Sequence, residues 1–382
     1  METRKIGGME PSMLGYGCMR FPVDRETNKI DEAEARALIR RAMEGGITYY
    51  DTAWPYHNGE SEAFLGRALA EYPRSQYYLA TKLPCWEIDS REEAQARLAA
   101  QLERLNTRYV DFYLLHSLSR KTWDKMVQLQ IPALLEEWQR QGKVKRLGFS
   151  FHDAYPVLEE ILRFRSWDFC QIQLNYMDTE YQTGLKGLAL AREMGVPVVV
   201  MEPVKGGSLA QLPAEVAQPL KALDPEASPA SWALRWAASQ PGVSVVLSGM
   251  SDTGQLEENL STFSPLRPLS PAEEDAVQET ARRLRRRIQN GCTGCRYCMP
   301  CPAGVDIPKS FQIWNNMSMY QNAALTRRAW EGLEAQARPD RCVGCGRCEE
   351  ACPQHLSIRE DLARAQAELR NFAASEAEGA AR

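Results

Sequence analysis

Short apolar runs alternate with helical patterns over the first 265 or so residues of the chain. The run 196–201 (Val-Pro-Val-Val-Val-Met) is apolar at every position, which is typical of a strand that is covered on both faces. This pattern predicts eight strands, at 13–18, 47–51, 77–82, 110–116, 146–150, 169–174, 196–201 and 243–248.

Segments with a 3.6-residue apolar period lie between these strands. In the clearest, Ala35, Leu38 and Ala42 share one face, and a Gly-Gly pair at 45–46 supplies a stop signal. Further helices are predicted to begin near Glu60 and within 248–260, and to span about 90–105, 133–141, 156–164, 183–194 and 229–239. Eight strand–helix units predict an α/β fold, a closed (β/α)8 TIM barrel rather than an open doubly wound sheet. No Gly-x-Gly-x-x-Gly opens a helix, which argues against a Rossmann cofactor site.

Composition and charge indicate which partners and which compartment to expect for this chain. The chain has 382 residues and a formal net charge of -4 with 46 basic and 50 acidic residues, so neither nucleic acid nor an anionic membrane is expected as a partner. We find no apolar run of membrane-spanning length and no signal-peptide pattern. The sequence therefore predicts a cytoplasmic protein.

Three polar side chains stand where predicted strands end, and a fourth follows in a loop. Asp51 ends the second strand, Lys82 the third and His116 the fourth, while Tyr56 lies in the loop after the second. Because barrel enzymes carry their chemistry at the carboxyl ends of the strands, these four residues predict one catalytic site.

The run Asp-Thr-Ala-x-x-Tyr-x-Asn-Gly-Glu at 51–60, followed by Leu-Gly-Arg-Ala-Leu at 65–69, resembles the aldo/keto reductases. In that family an Asp, a Tyr, a Lys and a His form the catalytic tetrad, and the order here matches. The resemblance implies that Tyr56 protonates a nascent alkoxide, that Lys82 lowers the pKa of its phenol, and that Asp51 holds Lys82 charged. Neutral His116 is expected to donate a hydrogen bond to the carbonyl oxygen.

The same resemblance implies a nicotinamide cofactor bound at later strand ends. Ser150 and Gln173 correspond to carboxamide contacts, although Phe151-His152 replaces the Asn that usually follows the serine. The loop containing Lys205 and Gly206 resembles the pyrophosphate loop. The adenosine-binding segment implies contacts from Gly249, Ser251, Gln255, Glu258 and Asn259. Lys or Arg, the usual partner of a 2′-phosphate, is missing from this segment, so NADPH is expected with NADH as a close alternative.

Eight of the eleven cysteines crowd into two arrays near the C-terminus. The first is Cys-x-x-Cys-x-x-Cys-x-x-Cys-Pro and the second is Cys-x-x-Cys-x-x-Cys-x-x-x-Cys-Pro. The second has the spacing of bacterial ferredoxins, so the arrays predict two 4Fe–4S clusters rather than zinc. The metal ligands expected are Cys292, Cys295, Cys298, Cys301, Cys342, Cys345, Cys348 and Cys352.

In two-cluster ferredoxins the fourth cysteine of each run binds the other cluster. By that rule, Cys352 completes the cluster of the first array and Cys301 that of the second, although the first array is one residue short. The predicted organisation is a barrel at 1–265, a linker helix at 266–290, a mostly α-helical ferredoxin-like domain at 291–372 and a disordered tail at 373–382.

The preferred interpretation is an NAD(P)H-dependent oxidoreductase that reduces a small-molecule aldehyde or ketone, with appended clusters for electron transfer or docking. The alternative is an electron-transfer module whose barrel serves as a platform for nicotinamide and a redox partner protein. A third interpretation, a barrel without enzymatic activity, agrees poorly with an intact tetrad.

Overall fold

The computed structural model describes residues 1–24 and 26–380, with side chains up to residue 372. The chain forms two compact units. The first comprises Met1–Gly206 and Ser231–Ser270, and the second comprises Gly207–Ala230 and the chain from Pro271 onward.

The first unit is built on eight parallel strands that close into a barrel in sequence order. Each of the eight predicted strands is present, and the predicted TIM barrel is confirmed. The strands are β1 Leu14–Gly17, β2 Tyr49–Asp51, β3 Tyr78–Leu83, β4 Val110–Leu118, β5 Val144–Phe151, β6 Phe169–Gln173, β7 Val198–Met201 and β8 Val243–Ser248.

Helices follow the strands, as the alternating pattern predicted. Those up to residue 270 are α1 Glu32–Glu44, α2 Ser61–Leu69, α3 Arg91–Arg104, α4 Arg120–Gln128, α5 Ile131–Arg140, α6 Tyr155–Phe164, α7 Gly184–Glu193, α8 Ala214–Lys221, α9 Pro229–Ser239 and α10 Thr253–Phe263. Of these, α8 belongs to the second unit. Helices α4 and α8 were not predicted.

Helix α1 illustrates how local sequence sets these boundaries. The Asp31 side chain accepts hydrogen bonds from the backbone N–H groups of Ala33 and Glu34, which satisfies two donors of the first turn. The chain leaves the helix at Gly45 and turns at Gly46, whose φ of +85° favours glycine. The buried residues between them lie on the predicted face, at 35, 38, 39 and 42.

One end of the barrel is closed by the N-terminal segment. Antiparallel bridges pair Thr3 with Ser12 and Ile6 with Met9. Ile6 is fully buried in a cluster with Phe112 and with other inward-facing residues near the beginnings of the strands. Chemistry in the barrel is therefore confined to the opposite, carboxyl end of the strands.

The second unit is mostly α-helical, as predicted. After α8 it contains α11 Pro271–Arg285, α12 Ile307–Tyr320, α13 Ala323–Glu331, α14 Arg347–Glu350 and α15 Ile358–Ala380. Its core is formed by apolar residues of α12 and α15, with Trp314 at its centre. Helix α15 enters the segment predicted as a tail; Ala381 and Arg382 lie outside the described residues, so the disordered tail stays a prediction. Among the described residues, no helix combines the length and apolar character needed to span a membrane.

Candidate active site

The strand register directs the predicted catalytic residues into the barrel. Side chains alternate between the two faces of a strand, and Tyr49, Ala80 and Phe112 belong to the cluster inside the barrel. Asp51 and Lys82 lie two residues after Tyr49 and Ala80, and His116 lies four residues after Phe112. All three side chains therefore point inward. The structure brings all three to the carboxyl end of the strands, where Tyr56 also lies.

Asp51 and Lys82 form a buried ion pair. Lys82 Nζ lies 2.6 Å from Asp51 Oδ1 and donates a second hydrogen bond, of 2.8 Å, to the backbone carbonyl of Thr52. Burial alone would lower the pKa of the Lys82 ammonium, but the negative charge of Asp51 and the neighbouring Tyr56 side chain outweigh burial and raise it. Lys82 is therefore held as a cation inside the barrel.

Tyr56 sits at the start of a tight turn that aims its ring at Lys82. The next two residues, His57 and Asn58, have φ values of +51° and +54°, a strained conformation that is common at functional sites. Lys82 Nζ lies 5.0 Å from the centroid of the Tyr56 ring, so its charge acts on the phenol. Burial raises the pKa of the phenol and outweighs the opposing effect of Lys82, so the lowering that the sequence predicted is present but is not the net result.

His116 completes the group. Its ring centroid lies 6.0 Å from that of Tyr56 at an interplanar angle of 80°, and 5.0 Å from that of Trp86. Burial, the Lys82 charge and His152 hold the pKa of His116 well below its usual range. The imidazole is therefore neutral near neutral pH, and it can donate a hydrogen bond without carrying a charge.

The aromatic residues near the site have different roles. Trp86 contacts the His116 ring and is 44% exposed, so it forms part of the open wall of the site. Trp54 instead packs against two guanidinium groups of α3, with the carbons of Arg97 and Arg104 at 4.0 and 3.4 Å from its ring. Trp54 is thus held by cation–π contacts to the flanking helix.

Ser150 lies beside Gln171, a residue that was not predicted, at the ends of β5 and β6. Ser150 Oγ accepts a 2.7 Å hydrogen bond from the backbone N–H of Ser117, and Ser150 pairs in register with Gln171. Gln171 is buried, and its side-chain oxygen has no hydrogen-bond partner within the described chain. The resemblance implied Gln173 alone; Gln171 lies two residues earlier on the same face of β6, and its pairing with Ser150 follows only from the strand register.

Gln173 and Lys205 both hydrogen-bond the carboxylate of Asp178, a residue that was not predicted. Lys205 Nζ lies 2.7 and 2.6 Å from the two oxygens of Asp178, and Gln173 Nε2 donates to Oδ2 at 2.9 Å. Asn175 Nδ2 donates to the same oxygen at 3.0 Å. This network fixes the Gln173 amide with its oxygen directed away from Asp178. The loop beyond β7 is strained at Lys205, a non-glycine residue with a φ of +50°.

The segment after β8 is organised by bonds among its own residues. Asp252 caps α10 by accepting from the Gln255 backbone N–H at 2.9 Å, and Gln255 Nε2 donates back to Asp252 at 2.6 Å. The Ser251 backbone N–H donates to Gln255 Oε1 at 3.0 Å. Asn259 is buried and donates to Ser248 Oγ at 2.9 Å. Gly249 and Gln255 are exposed and Glu258 is half-buried, so this segment has a surface that faces solvent.

The cysteine arrays line two cavities in the second unit. The first cavity is bordered by Cys292, Cys295, Cys298 and Cys352, and the second by Cys298, Cys301, Cys342, Cys345 and Cys348. The last cysteine of each array thus borders the cavity of the other array, and the assignment of these cysteines to clusters stays a prediction. Among the described residues, no three Cys, His, Asp or Glu side chains converge closely enough to hold a single metal ion.

Comparison with known proteins supports both parts of this description. Residues 13–282 match the model of the aldo/keto reductase family, and residues 291–356 match a 4Fe-4S dicluster domain. L-galactose dehydrogenase of Arabidopsis thaliana is 27% identical over 312 residues, which cover 74% of this chain and 96% of that protein. NADH-specific methylglyoxal reductase of Escherichia coli is 26% identical over 296 residues, covering 65% of this chain and 87% of that protein.

A solved structure gives the same result. The holo form of the aldo-keto reductase AKR11C1 from Bacillus halodurans matches with a TM-score of 0.61 and 28% identity, covering 73% of this chain and 96% of that chain. The family match spans more than half of the sequence and includes every barrel strand. The chain is thus an oxidoreductase of the aldo/keto reductase family that carries a 4Fe-4S dicluster domain after its barrel.

Proposed function

We propose that the barrel reduces an aldehyde or ketone to an alcohol with a nicotinamide cofactor. The observation that carries this proposal is the buried Lys82 ammonium, which bonds Asp51 and lies 5.0 Å from the centroid of the Tyr56 ring, with neutral His116 beside that ring. Such a group can donate a proton at one point inside the barrel mouth. Reduction of a carbonyl needs that donor, because hydride addition leaves an alkoxide.

Each residue has a separate task in this reaction. A nicotinamide held at the mouth of the barrel would supply the hydride for the carbonyl carbon. Tyr56 gives its phenolic proton to the oxygen, and Lys82 stabilises the phenolate that remains. Asp51 keeps Lys82 charged and oriented, and His116 donates a hydrogen bond to the carbonyl oxygen as negative charge develops there. The raised pKa of the Tyr56 phenol means that it carries its proton at neutral pH, as an acid must.

The residues present fit a dinucleotide. The unpartnered buried oxygen of Gln171 and the hydroxyl of Ser150 can bind a carboxamide, with Gln173 beside them. Lys205 and Gly206 line the loop proposed for the pyrophosphate. Residues of the segment after β8 are proposed for the adenosine: Gly249, Ser251, Gln255, Glu258 and Asn259. NADPH is our choice, and NADH is the alternative; the Escherichia coli relative is named as NADH-specific.

The cysteine sets are proposed to hold two 4Fe–4S clusters, one on Cys292, Cys295, Cys298 and Cys352 and the other on Cys301, Cys342, Cys345 and Cys348. Cys295 and Cys345 are exposed, so each cluster has an edge near solvent from which electrons can pass to a redox partner protein. In the alternative function, this exchange is the main activity and the barrel is a platform. We place the protein in the cytoplasm, where thiols stay reduced.

Anaerobic protein with its clusters intact should oxidise NADPH or NADH when given an aromatic aldehyde. Tyr56→Phe removes the proton donor and should abolish turnover while dinucleotide binding persists. Tyr109→Phe, which removes a hydroxyl next to the opposite end of β4, is the matched control and should keep its activity. Full activity in Tyr56→Phe, or no aldehyde reduction by the unchanged protein, would overturn the proposal.

A further inference from the structure

An arginine from the loop after β1 lies over the glycines that follow β7 and β8. A Cβ atom placed on Gly249 would lie 2.9 Å from Cγ of Arg20, and one placed on Gly206 would lie 3.8 Å from its Nη2. The stem of Arg20 therefore rests on the chain after β8, and its guanidinium extends toward the loop after β7. Gly249 permits this position, because a larger residue there would displace the Arg20 stem.

The guanidinium of Arg20 is available to a ligand. Arg20 is exposed, and within the described chain no hydrogen bond or ion pair engages its side chain. Glu202 Oε2 lies 3.6 Å from the same Cβ position on Gly206 but forms no ion pair with Arg20. By contrast, Lys205, the other cation of this rim, is already bound to Asp178. Arg20 thus offers a positive charge that no ion pair in the described chain engages, beside Gly206 and Gly249.

We infer that Arg20 binds a phosphate of the dinucleotide. This inference rests on the proposed function and deepens it, because it names a contact that the segment after β8 lacks. Gly249 and Gln255 hold the positions at which a cation was expected. The Gln255 side chain is already hydrogen-bonded to Asp252 and Ser251. A guanidinium offers the planar donors that suit phosphate oxygens, and its charge is independent of pH in the physiological range. Arg20, in the loop after β1, supplies the positive charge for a phosphate that the segment after β8 lacks.

The test measures dissociation constants of NADPH and NADH for the cluster-loaded protein by nicotinamide fluorescence. Arg20→Gln should weaken at least one of them by about tenfold at low salt, as the loss of one charged hydrogen bond does. A loss confined to NADPH assigns Arg20 to the 2′-phosphate, and equal losses assign it to the pyrophosphate. Arg40→Gln, which removes an exposed arginine of α1, is the control of equal charge and should bind as the unchanged protein does.

A second variant makes the test independent of any effect on folding. Gly249→Ala should weaken binding by displacing the Arg20 stem, and it should add little when Arg20→Gln is already present, because both changes remove the same contact. Affinities within about twofold of the unchanged protein in Arg20→Gln, for both dinucleotides, would overturn the inference. Tight dinucleotide binding without aldehyde reduction would instead overturn the proposed function and leave Arg20 assigned.

Discussion

Lys82 Nζ and Asp51 Oδ1 lie 2.6 Å apart inside the barrel, and both side chains are shielded from solvent. The pair joins β2 to β3 next to Tyr56, the proposed proton donor. Asp51 Oδ2 has no hydrogen-bond partner in the described chain, so Lys82 supplies the main compensation for this buried charge. Loss of Lys82 therefore affects stability as well as chemistry.

Lys82→Met should lower the free energy of unfolding by about 3–5 kcal/mol, because it leaves a buried carboxylate without its cation. The double variant Asp51→Asn with Lys82→Met should lose less, since no charge is then stranded. Urea unfolding, with hydrogen exchange of peptides from β2 and β3 to localise the effect, measures both. Equal losses in the single and double variants would show that the pair contributes nothing through charge.

His116 should make the protein less stable in acid. Burial, then Lys82 and His152, hold the pKa of His116 far below its usual value of about 6.5. The unfolded chain takes up this proton as the pH falls through about 6.5, and the folded chain does not, so the free energy of unfolding drops by up to about 1.4 kcal/mol per pH unit. His57 and His152, whose pKa values are also lowered by burial, act in the same direction.

His116→Asn isolates this contribution, because the other two histidines remain. Relative to the unchanged protein, the variant should gain stability as the pH is lowered from about 7.5 to about 5.5. Urea midpoints of both proteins at several pH values provide the measurement. A stability difference that stays constant with pH would mean that the imidazole protonates equally well in the folded chain.

Asp178→Asn should weaken dinucleotide binding by about three- to tenfold, since the change releases Lys205 and the amide of Gln173 from their fixed positions. Isothermal titration with the dinucleotide measures the loss. Asp124→Asn, at an exposed carboxylate paired with Arg120 on α4, is the matched control. Unchanged affinity in Asp178→Asn would argue that neither partner contacts the cofactor.

Cys345→Ser should reduce the iron content from about eight to about four atoms per chain, as expected when one of two 4Fe–4S clusters is lost. Aldehyde reduction should continue within about twofold of its original rate, because a two-electron hydride transfer needs no one-electron carrier. Iron analysis and steady-state rates are measured on the same sample, with Cys170→Ala, at a buried barrel thiol, as the control. Turnover that disappears with the cluster would favour the electron-transfer alternative.

The barrel could be predicted from sequence because its signal is local. Strands buried on both faces appear as continuous apolar runs, and each predicted strand overlaps an observed one. Helix α4 was missed because Trp123 and Met126 alone are buried in it, and α8 because it contains Pro219. The contact between Arg20 and Gly249 joins residues more than two hundred positions apart, and no local pattern encodes it. Gln171 likewise required the register of β6 with β5.

The bridge between Thr3 and Ser12 has a consequence for how molecules reach the tetrad. Ser12 and Thr48 exchange hydrogen bonds of 2.8 Å, which fix the N-terminal segment that closes the barrel to the chain just before β2. If the barrel binds a hydride donor and a carbonyl compound, as proposed, both must enter through its one open end. For the proposed reductase, a single entrance predicts an ordered kinetic mechanism, in which the compound that lies deeper in the barrel binds first and leaves last.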